Sequence, residues 1–303
     1  VHTLGQPFGD SSILPPYWVS KAARQHVKVA LAGDGGDELF LGYERYLAAP
    51  FLAKHWRWLR RLPVGFLHRC HPKSRANKLA RLVDMARDYP ALGVMAMEAI
   101  FTVDQLEALD PTIRPGRWAC SVDEDHSVEH GLAAMGVPFP PVSPDEAIAE
   151  LRDFDLEHYL PNDLLRKTDI ASMACALEVR CPFLDRDLAR TVLALPINEL
   201  IPNGERKGLL RAIARKHLPA ECVDRSKMGF AIPIGEWFRD DFGQMKSLLL
   251  DHLNAKDPFG PIELNQSVVQ MFIEEHMAGR REHGARLFML LTLAIWAKRF
   301  ATD

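Results

Sequence analysis

Cysteine is scarce in this sequence. Five occur among 303 residues, Cys70, Cys120, Cys175, Cys181 and Cys222, odd in number and with no C-x-x-C spacing. That excludes a disulfide scaffold and a cysteine zinc knuckle, and fits free thiols in a reducing compartment. Long apolar runs are lacking too. The longest, Leu287 to Ala297, contains Thr292 and falls well short of the roughly 20 residues a membrane span needs, so it suits a buried helix. Neither sign of charge is in excess: 37 Lys plus Arg stand against 40 Asp plus Glu, a formal net charge of −3. That balance gives no argument for a nucleic-acid partner or for a solvating acidic tail. No basic-then-apolar leader opens the chain, and there is no internal repeat or low-complexity tract. A cytoplasmic location with no membrane contact is the expectation.

The remaining composition is that of a globular protein, 48% hydrophobic and 25% charged. The length gives a prior of about two domains and allows a core without staples. The first fifty residues read as α/β. Tyr17 to Gln25 carry a helical pattern, and Val27 to Ala32 form a short apolar run of strand length. A tight turn follows, Gly33-Asp34-Gly35-Gly36, and then a helix whose apolar face is Leu39, Phe40, Tyr43, Tyr46 and Leu47. One strand cannot make a sheet, so its neighbours in a parallel sheet are expected largely from sequence outside these residues. Asp37 and Glu38 lie in the first helical turn, where the dipole favours carboxylates.

A Gly-rich turn between a parallel strand and a helix presents backbone N–H groups to an anion. Here Asp34, Asp37 and Glu38 crowd that turn. Three carboxylates would repel a bare phosphate, so a phosphate there needs a divalent cation between them. The combination points to Mg²⁺ with a nucleotide or pyrophosphate. An ordinary helix cap with surface acids remains the alternative.

Between Lys54 and Arg87 there are ten Lys or Arg, against Asp84 and the adjoining Asp88, with Trp56 and Trp58 interleaved. No nucleic-acid motif accompanies the charge, which favours a solvated basic face on an amphipathic helical pair. Pro138 to Pro144 form a Pro-rich break, and the pattern beyond Asp145 is helical almost throughout. Pro161 is suited to opening a helix through Leu164, Leu165, Thr168, Ala171, Ser172 and Cys175. The loop Arg225 to Pro233 is a second break. Lys167 and Asp169, two apart, do not share a helix face. Glu178 and Arg180 suit an internal ion pair fixing the turn Cys181-Pro182-Phe183-Leu184-Asp185. The histidines show no metal-ligand spacing.

Four blocks occur in order: Gly5-Gln6-Pro7-Phe8-Gly9-Asp10-Ser11-Ser12; Gly33-Asp34-Gly35-Gly36-Asp37-Glu38-Leu39-Phe40-Leu41-Gly42-Tyr43; Tyr159-Leu160-Pro161-Asn162-Asp163 through Lys167 to Glu178-Val179-Arg180-Cys181-Pro182-Phe183-Leu184-Asp185; and Lys207-Gly208-Leu209-Leu210-Arg211 with Asp224-Arg225-Ser226-Lys227-Met228-Gly229-Phe230 and Gly235-Glu236-Trp237. Together they resemble the synthetase domain of glutamine-hydrolysing asparagine synthetases. The resemblance implies an α/β fold, a fragment of a PP-loop (adenine nucleotide α-hydrolase-like, Rossmann-like) synthetase domain that is predominantly α-helical in the residues present. Residues 1–50 would be its nucleotide-site part, 51–144 a helical insert and 145–303 the helical part completing the active site.

Such enzymes use ATP and Mg²⁺ to adenylate the side chain of aspartate, and ammonia from glutamine then displaces AMP. By resemblance, Asp37 holds Mg²⁺, Asp34 is the base for the attacking amine, and Lys227 stabilises charge on the acyl-adenylate and its tetrahedral intermediate. Gly33, Gly35, Asp163 and Lys167 are expected to bind substrate or nucleotide. The family's Ser-Gly-Gly-x-Asp-Ser pyrophosphate loop and its amino-terminal glutaminase domain do not occur here. A carboxy-terminal fragment, inactive alone, is therefore expected, with the glutaminase domain as partner; a homodimer is compatible with it. Ala32, Leu41 and Gln6 also depart from the usual Ser, Gly and Glu. Two alternatives are a related adenylating synthetase that forms β-lactams or modifies peptides, and a non-catalytic helical binding module.

Overall fold

A computed structural model of the chain describes residues 5–59, 61–64, 100–112, 143–224 and 232–300, together with positions 67, 74, 76, 79, 80 and 83. Most of the basic segment and of the Pro-rich break lies outside the described residues. So does Lys227, with the rest of 225–231.

The chain enters through a 3₁₀ turn at Ser11–Ile13, capped by the Asp10 carboxylate, and continues as α1 (Leu14–Ala23) with prolines in its first turn. Pro is tolerated there because those N–H groups have no helical partner. The strand is shorter than the apolar run suggests: β1 is Val29–Leu31. It pairs in parallel with β2 (Glu178–Arg180), Val29 opposite Glu178 and Leu31 opposite Arg180. The ladder also uses the Lys28 carbonyl and the Ala32 amide. Alternation then turns the backbone groups of Val29 and Leu31 toward the other edge, which no strand pairs among the described residues. Their side chains are 42% and 73% exposed. Parallel sheets are normally covered on both faces, so this ladder has the character of a sheet margin.

The helix expected after the glycine turn is two helices. α2 (Gly36–Leu39) stops after one turn, and α3 (Glu44–Leu59) restarts beyond a bend. Leu41 causes the break: its φ is +55°, outside the helical region, and the Gly42 amide turns back to the Asp37 carbonyl. A non-glycine residue there bears strain on the order of 1–2 kcal/mol, against which stands the complete burial of the Leu41 side chain. Of the expected apolar face, Leu39, Phe40 and Tyr46 are buried and Tyr43 is half-buried, whereas Leu47 is 43% exposed.

Pro161 does not open a helix. α5 (Pro144–Phe154), a π-helical stretch (Asp155–Leu165) and α6 (Arg166–Met173) follow one another without a break, and Pro161 lies inside the π stretch. The wider turn relieves the crowding that a proline ring imposes on the preceding α turn. α4 (Val103–Leu109) lies earlier in the chain. Ser143 and Glu146 form a reciprocal capping box at the start of α5, with Pro144 in the first turn.

α3 lies against α5, and their apolar faces make one core with Leu39, Leu41, Tyr46, Ile148, Leu151, Val192 and Leu200. A second core joins α11 (Ile234–Asp240), α12 (Met245–Leu253), α13 (Gln266–Met277) and α14 (Gly284–Phe300), after the short helices α7 (Arg186–Leu193), α8 (Ile197–Leu200), α9 (Gly208–Ala214) and α10 (Ala220–Val223). The apolar run Leu287 to Ala297 lies in α14, with Leu287, Leu290, Leu291, Ala294 and Ala297 buried. No helix among the described residues is long and apolar enough to cross a membrane.

Candidate functional site

Ligands of parallel sheets bind beyond the carboxyl ends of the strands. At that end β1 runs into Gly33-Asp34-Gly35-Gly36 and β2 into Cys181-Pro182-Phe183-Leu184, so the pairing brings the two turns together. Gly35 has φ +86°, and a Cβ there would collide with the Leu184 side chain. Gly36 would bring a Cβ within 3.1 Å of Phe183. Both glycines thus let the first turn pack on the second. Gly33 differs: it is exposed and a Cβ there meets nothing within 4 Å.

Asp34 is half-buried. Its Oδ2 accepts hydrogen bonds from Thr168 Oγ1 at 3.2 Å and from the Cys181 thiol at 3.7 Å. Burial, and then the Asp34 charge, push the thiol up to about 11. It stays protonated at neutral pH and is a poor nucleophile. Neither Thr168 nor Cys181 stands out in the sequence as a partner of Asp34; they lie 134 and 147 residues away.

Asp37 pairs with Lys207, Nζ to Oδ1 3.1 Å. Lys207 precedes α9 in a left-handed conformation, φ +54°. A Cβ on Gly42 would occupy the space of both the Asp37 carboxylate and the Lys207 chain, so this glycine makes the pairing sterically feasible. Lys207 had no chemical signal in the sequence beyond its place in the fourth block. Glu38 corrects the expectation of three clustered carboxylates. It points inward, 1% exposed, and accepts from the Tyr43 hydroxyl. Burial pushes its carboxyl up, leaving Asp34 and Asp37 as the accessible pair.

Asp163 and Lys167 come together. The Lys167 ammonium is buried and donates to Asp10 Oδ2 at 2.6 Å, Ser12 Oγ at 2.8 Å and Asp163 Oδ2 at 3.1 Å. These bonds use all three of its hydrogens. Burial pulls its pKa down, but the bonds and charge of Asp10 and Asp163 outweigh burial and hold it raised. Burial likewise raises Asp10, but Lys167 and Ser12 bring that carboxyl below its ordinary value; burial dominates at Asp163, which is raised. The cluster ties the entry turn to α6 one residue before Thr168. Asp169 is exposed, as expected from its spacing.

The segment holding Lys227 has described stems on both sides. Before it, Arg211 donates to the Val223 carbonyl at 2.9 Å, and Arg211 and Arg215 pair with Asp224 at 3.3 and 2.9 Å. After it, buried His276 bonds the Gly235 carbonyl through Nε2 at 2.9 Å. The Glu178–Arg180 ion pair forms, at 2.7 Å, but both side chains are more than half exposed; such a pair contributes little to holding the Cys181 turn.

The described residues contain no group of three or more His, Cys, Asp or Glu arranged to hold a metal. Magnesium does not require one. It is commonly bound through one or two carboxylates with phosphate oxygens and water completing the shell. Asp37, a hard oxygen donor in the first turn of α2, fits that mode, with Lys207 balancing its charge.

Comparison with known proteins gives a consistent result. The family model for asparagine synthase matches residues 1–298. A putative glutamine-hydrolysing asparagine synthetase of Mycobacterium tuberculosis is 28% identical over 298 residues, covering 97% of this chain and 42% of its own length. Glutamine-hydrolysing asparagine synthetase 1 of Bacillus subtilis is 26% identical over 294 residues, 96% of this chain and 43% of its own. The Gallus gallus asparagine synthetase is 36% identical over 150 residues, 46% of this chain and 26% of its own. The chain thus spans about two fifths of the length of the first two relatives.

Proposed function

Because the chain belongs to the asparagine synthase family, we propose that it is the synthetase part of an ATP-dependent ligase converting aspartate to asparagine, with ammonia drawn from glutamine. The side-chain carboxylate of aspartate attacks the α-phosphorus of ATP, giving aspartyl-AMP and pyrophosphate. Ammonia adds to the acyl carbon, AMP leaves, and a proton is lost from the new amide nitrogen.

One arrangement carries this assignment: two parallel strands end side by side, with Asp34 on the turn after β1, Asp37 in the first turn of α2, and Lys207 reaching Asp37 from the residue before α9. Asp37 would hold magnesium with phosphate oxygens, and the ion would supply charge neutralisation on the departing pyrophosphate. Asp34 has the geometry of a proton acceptor, a half-buried carboxylate held by neutral donors. Lys227 would place a positive charge on the oxyanion of the tetrahedral intermediate, a contribution of several kcal/mol, roughly. The Asp10–Lys167–Asp163 cluster would support the site by fixing α6, since its ammonium has no hydrogen left for a ligand. The open edge of β1 supports a larger parallel sheet of PP-loop type, completed by sequence of the whole protein that would also supply the pyrophosphate loop and the glutaminase domain.

The test uses the full-length protein with ATP, Mg²⁺, glutamine and aspartate. AMP, pyrophosphate and asparagine should form in equal amounts. Lys227→Ala should reduce turnover at least about 10²-fold while ATP binding stays within twofold. AMP release that depends on another carboxylic acid and not on aspartate overturns the substrate; unchanged turnover in Lys227→Ala removes that residue from the mechanism.

A further inference from the structure

Asp34 has a one-sided environment. Thr168 and Cys181 both donate to Oδ2, and the structure gives Oδ1 no partner among the described residues. We infer that Thr168 and Cys181 are positioning residues that fix the Asp34 carboxylate by one oxygen and leave Oδ1 to face the attacking amine, an inference that rests on the base role proposed above.

The backbone sets up this arrangement from three directions. Asp34 stands two residues after Ala32, whose amide bonds the Arg180 carbonyl at 2.9 Å. Cys181 is the next residue after that carbonyl, so strand register alone delivers its side chain to the Asp34 turn. Thr168 comes from α6, directly after Lys167, whose bonds to Asp10 and Ser12 tie that stretch of helix to the entry turn. Directly before Asp34, a Cβ on Gly33 would meet nothing within 4 Å among the described residues.

The chemistry of the two donors suits a base. Both are neutral, so they hold the carboxylate without cancelling its charge as a lysine or arginine would. The thiol serves as a donor only while protonated, and its raised pKa keeps it so. A carboxylate gripped at Oδ2 also loses rotation about its Cβ–Cγ bond, and a proton acceptor works only when held in line with the proton it takes.

A base that acts on the amine is needed for aminolysis and not for adenylation, and this separates positioning from mere structural support. In the full-length enzyme two rates are measured: aspartate-dependent exchange of pyrophosphate into ATP without a nitrogen source, and asparagine formation from glutamine. Thr168→Val combined with Cys181→Ala should slow asparagine formation about tenfold and leave exchange within twofold. Thr168→Ser, which keeps the hydroxyl, should retain the wild-type rate. Asp34→Asn should slow asparagine formation at least 100-fold with exchange again preserved. If Asp34→Asn makes asparagine at the wild-type rate, the base assignment fails. If Asp34→Asn is impaired but the Thr168/Cys181 variant matches wild type, or loses both rates equally, the positioning role is overturned. Should the double variant fold poorly, Thr168→Val and Cys181→Ser tested singly carry the same comparison: Thr168→Val slows only asparagine formation and Cys181→Ser retains it.

Discussion

Removing the Asp155 carboxylate should cost this protein more stability than an ordinary surface ion-pair deletion. Asp155 begins the π-helical stretch and is 1% exposed; Arg45, from α3, is 6% exposed. Arg45 Nη2 lies 2.8 Å from Oδ1 and Nε 3.3 Å from Oδ2, and the Tyr46 hydroxyl donates to Oδ2 at 2.5 Å. The guanidinium also lies 4.2 Å from the Tyr43 ring centre and 5.0 Å from that of Tyr159. Asp155→Ala leaves a guanidinium and a phenol buried without this acceptor, a loss of about 3–5 kcal/mol. At about 2 °C per kcal/mol for a cooperative unit of this size, the melting transition of the unit that contains Asp155 falls by roughly 6–10 °C. Asp155→Asn keeps an acceptor oxygen and should lose less. The triple replacement Arg45→Met, Tyr46→Phe, Asp155→Leu strands no polar group at these positions and should regain most of the loss. Calorimetry on the full-length protein checks all three. A shift under 2 °C for Asp155→Ala, or a triple variant no more stable than it, refutes the reasoning.

Acid should weaken the fold through two buried histidines. His276 donates to the Gly235 carbonyl and accepts the His283 amide at 3.2 Å, so both ring nitrogens are used in the neutral form. His283 bonds Glu275 at 2.8 Å and faces Arg286. Burial lowers both, His283 to about 4. The unfolded chain therefore binds more protons below about pH 6.5, and stability present above that value is lost as pH falls toward 4; for His283 alone the limit is about 3 kcal/mol. Urea midpoints between pH 7.5 and 4.5 should fall more steeply in the wild type than in His283→Gln, and equal slopes count against the linkage. In the glycine turn, Gly35→Ala should cost roughly 2–4 kcal/mol from its left-handed backbone and the collision with Leu184. Gly33→Ala should stay within about 1 kcal/mol; melting curves that do not separate the two would refute the packing role of Gly35.

Several features were legible because their causes are local. A β-branched run gives β1, glycines mark the turn after it, and the uncharged run Leu287–Ala297 gives the interior of α14. The break at Leu41 was not legible. Nothing in the local pattern shows that one leucine will take a left-handed backbone in exchange for full burial. Pro161 fits a helix start in the local pattern but lies inside a helical run for a similar reason: its tolerance depends on a π turn within that longer run. Glu38 looked like a third surface carboxylate because its partner Tyr43 and its burial follow from the bend between α2 and α3.

The order of residues by itself determined the family, the glycine turn and the residue types at the site, since each is written in contiguous blocks. Only the tertiary structure decided which groups meet. Cys181 and Thr168 reach Asp34, Lys207 reaches Asp37, Asp10 reaches Lys167 and Arg45 reaches Asp155, each across more than a hundred residues of chain. Hydrogen bonds and ion pairs act over a few ångströms. Their partners are chosen by strand register and helix packing, which bring distant stretches of sequence within that range.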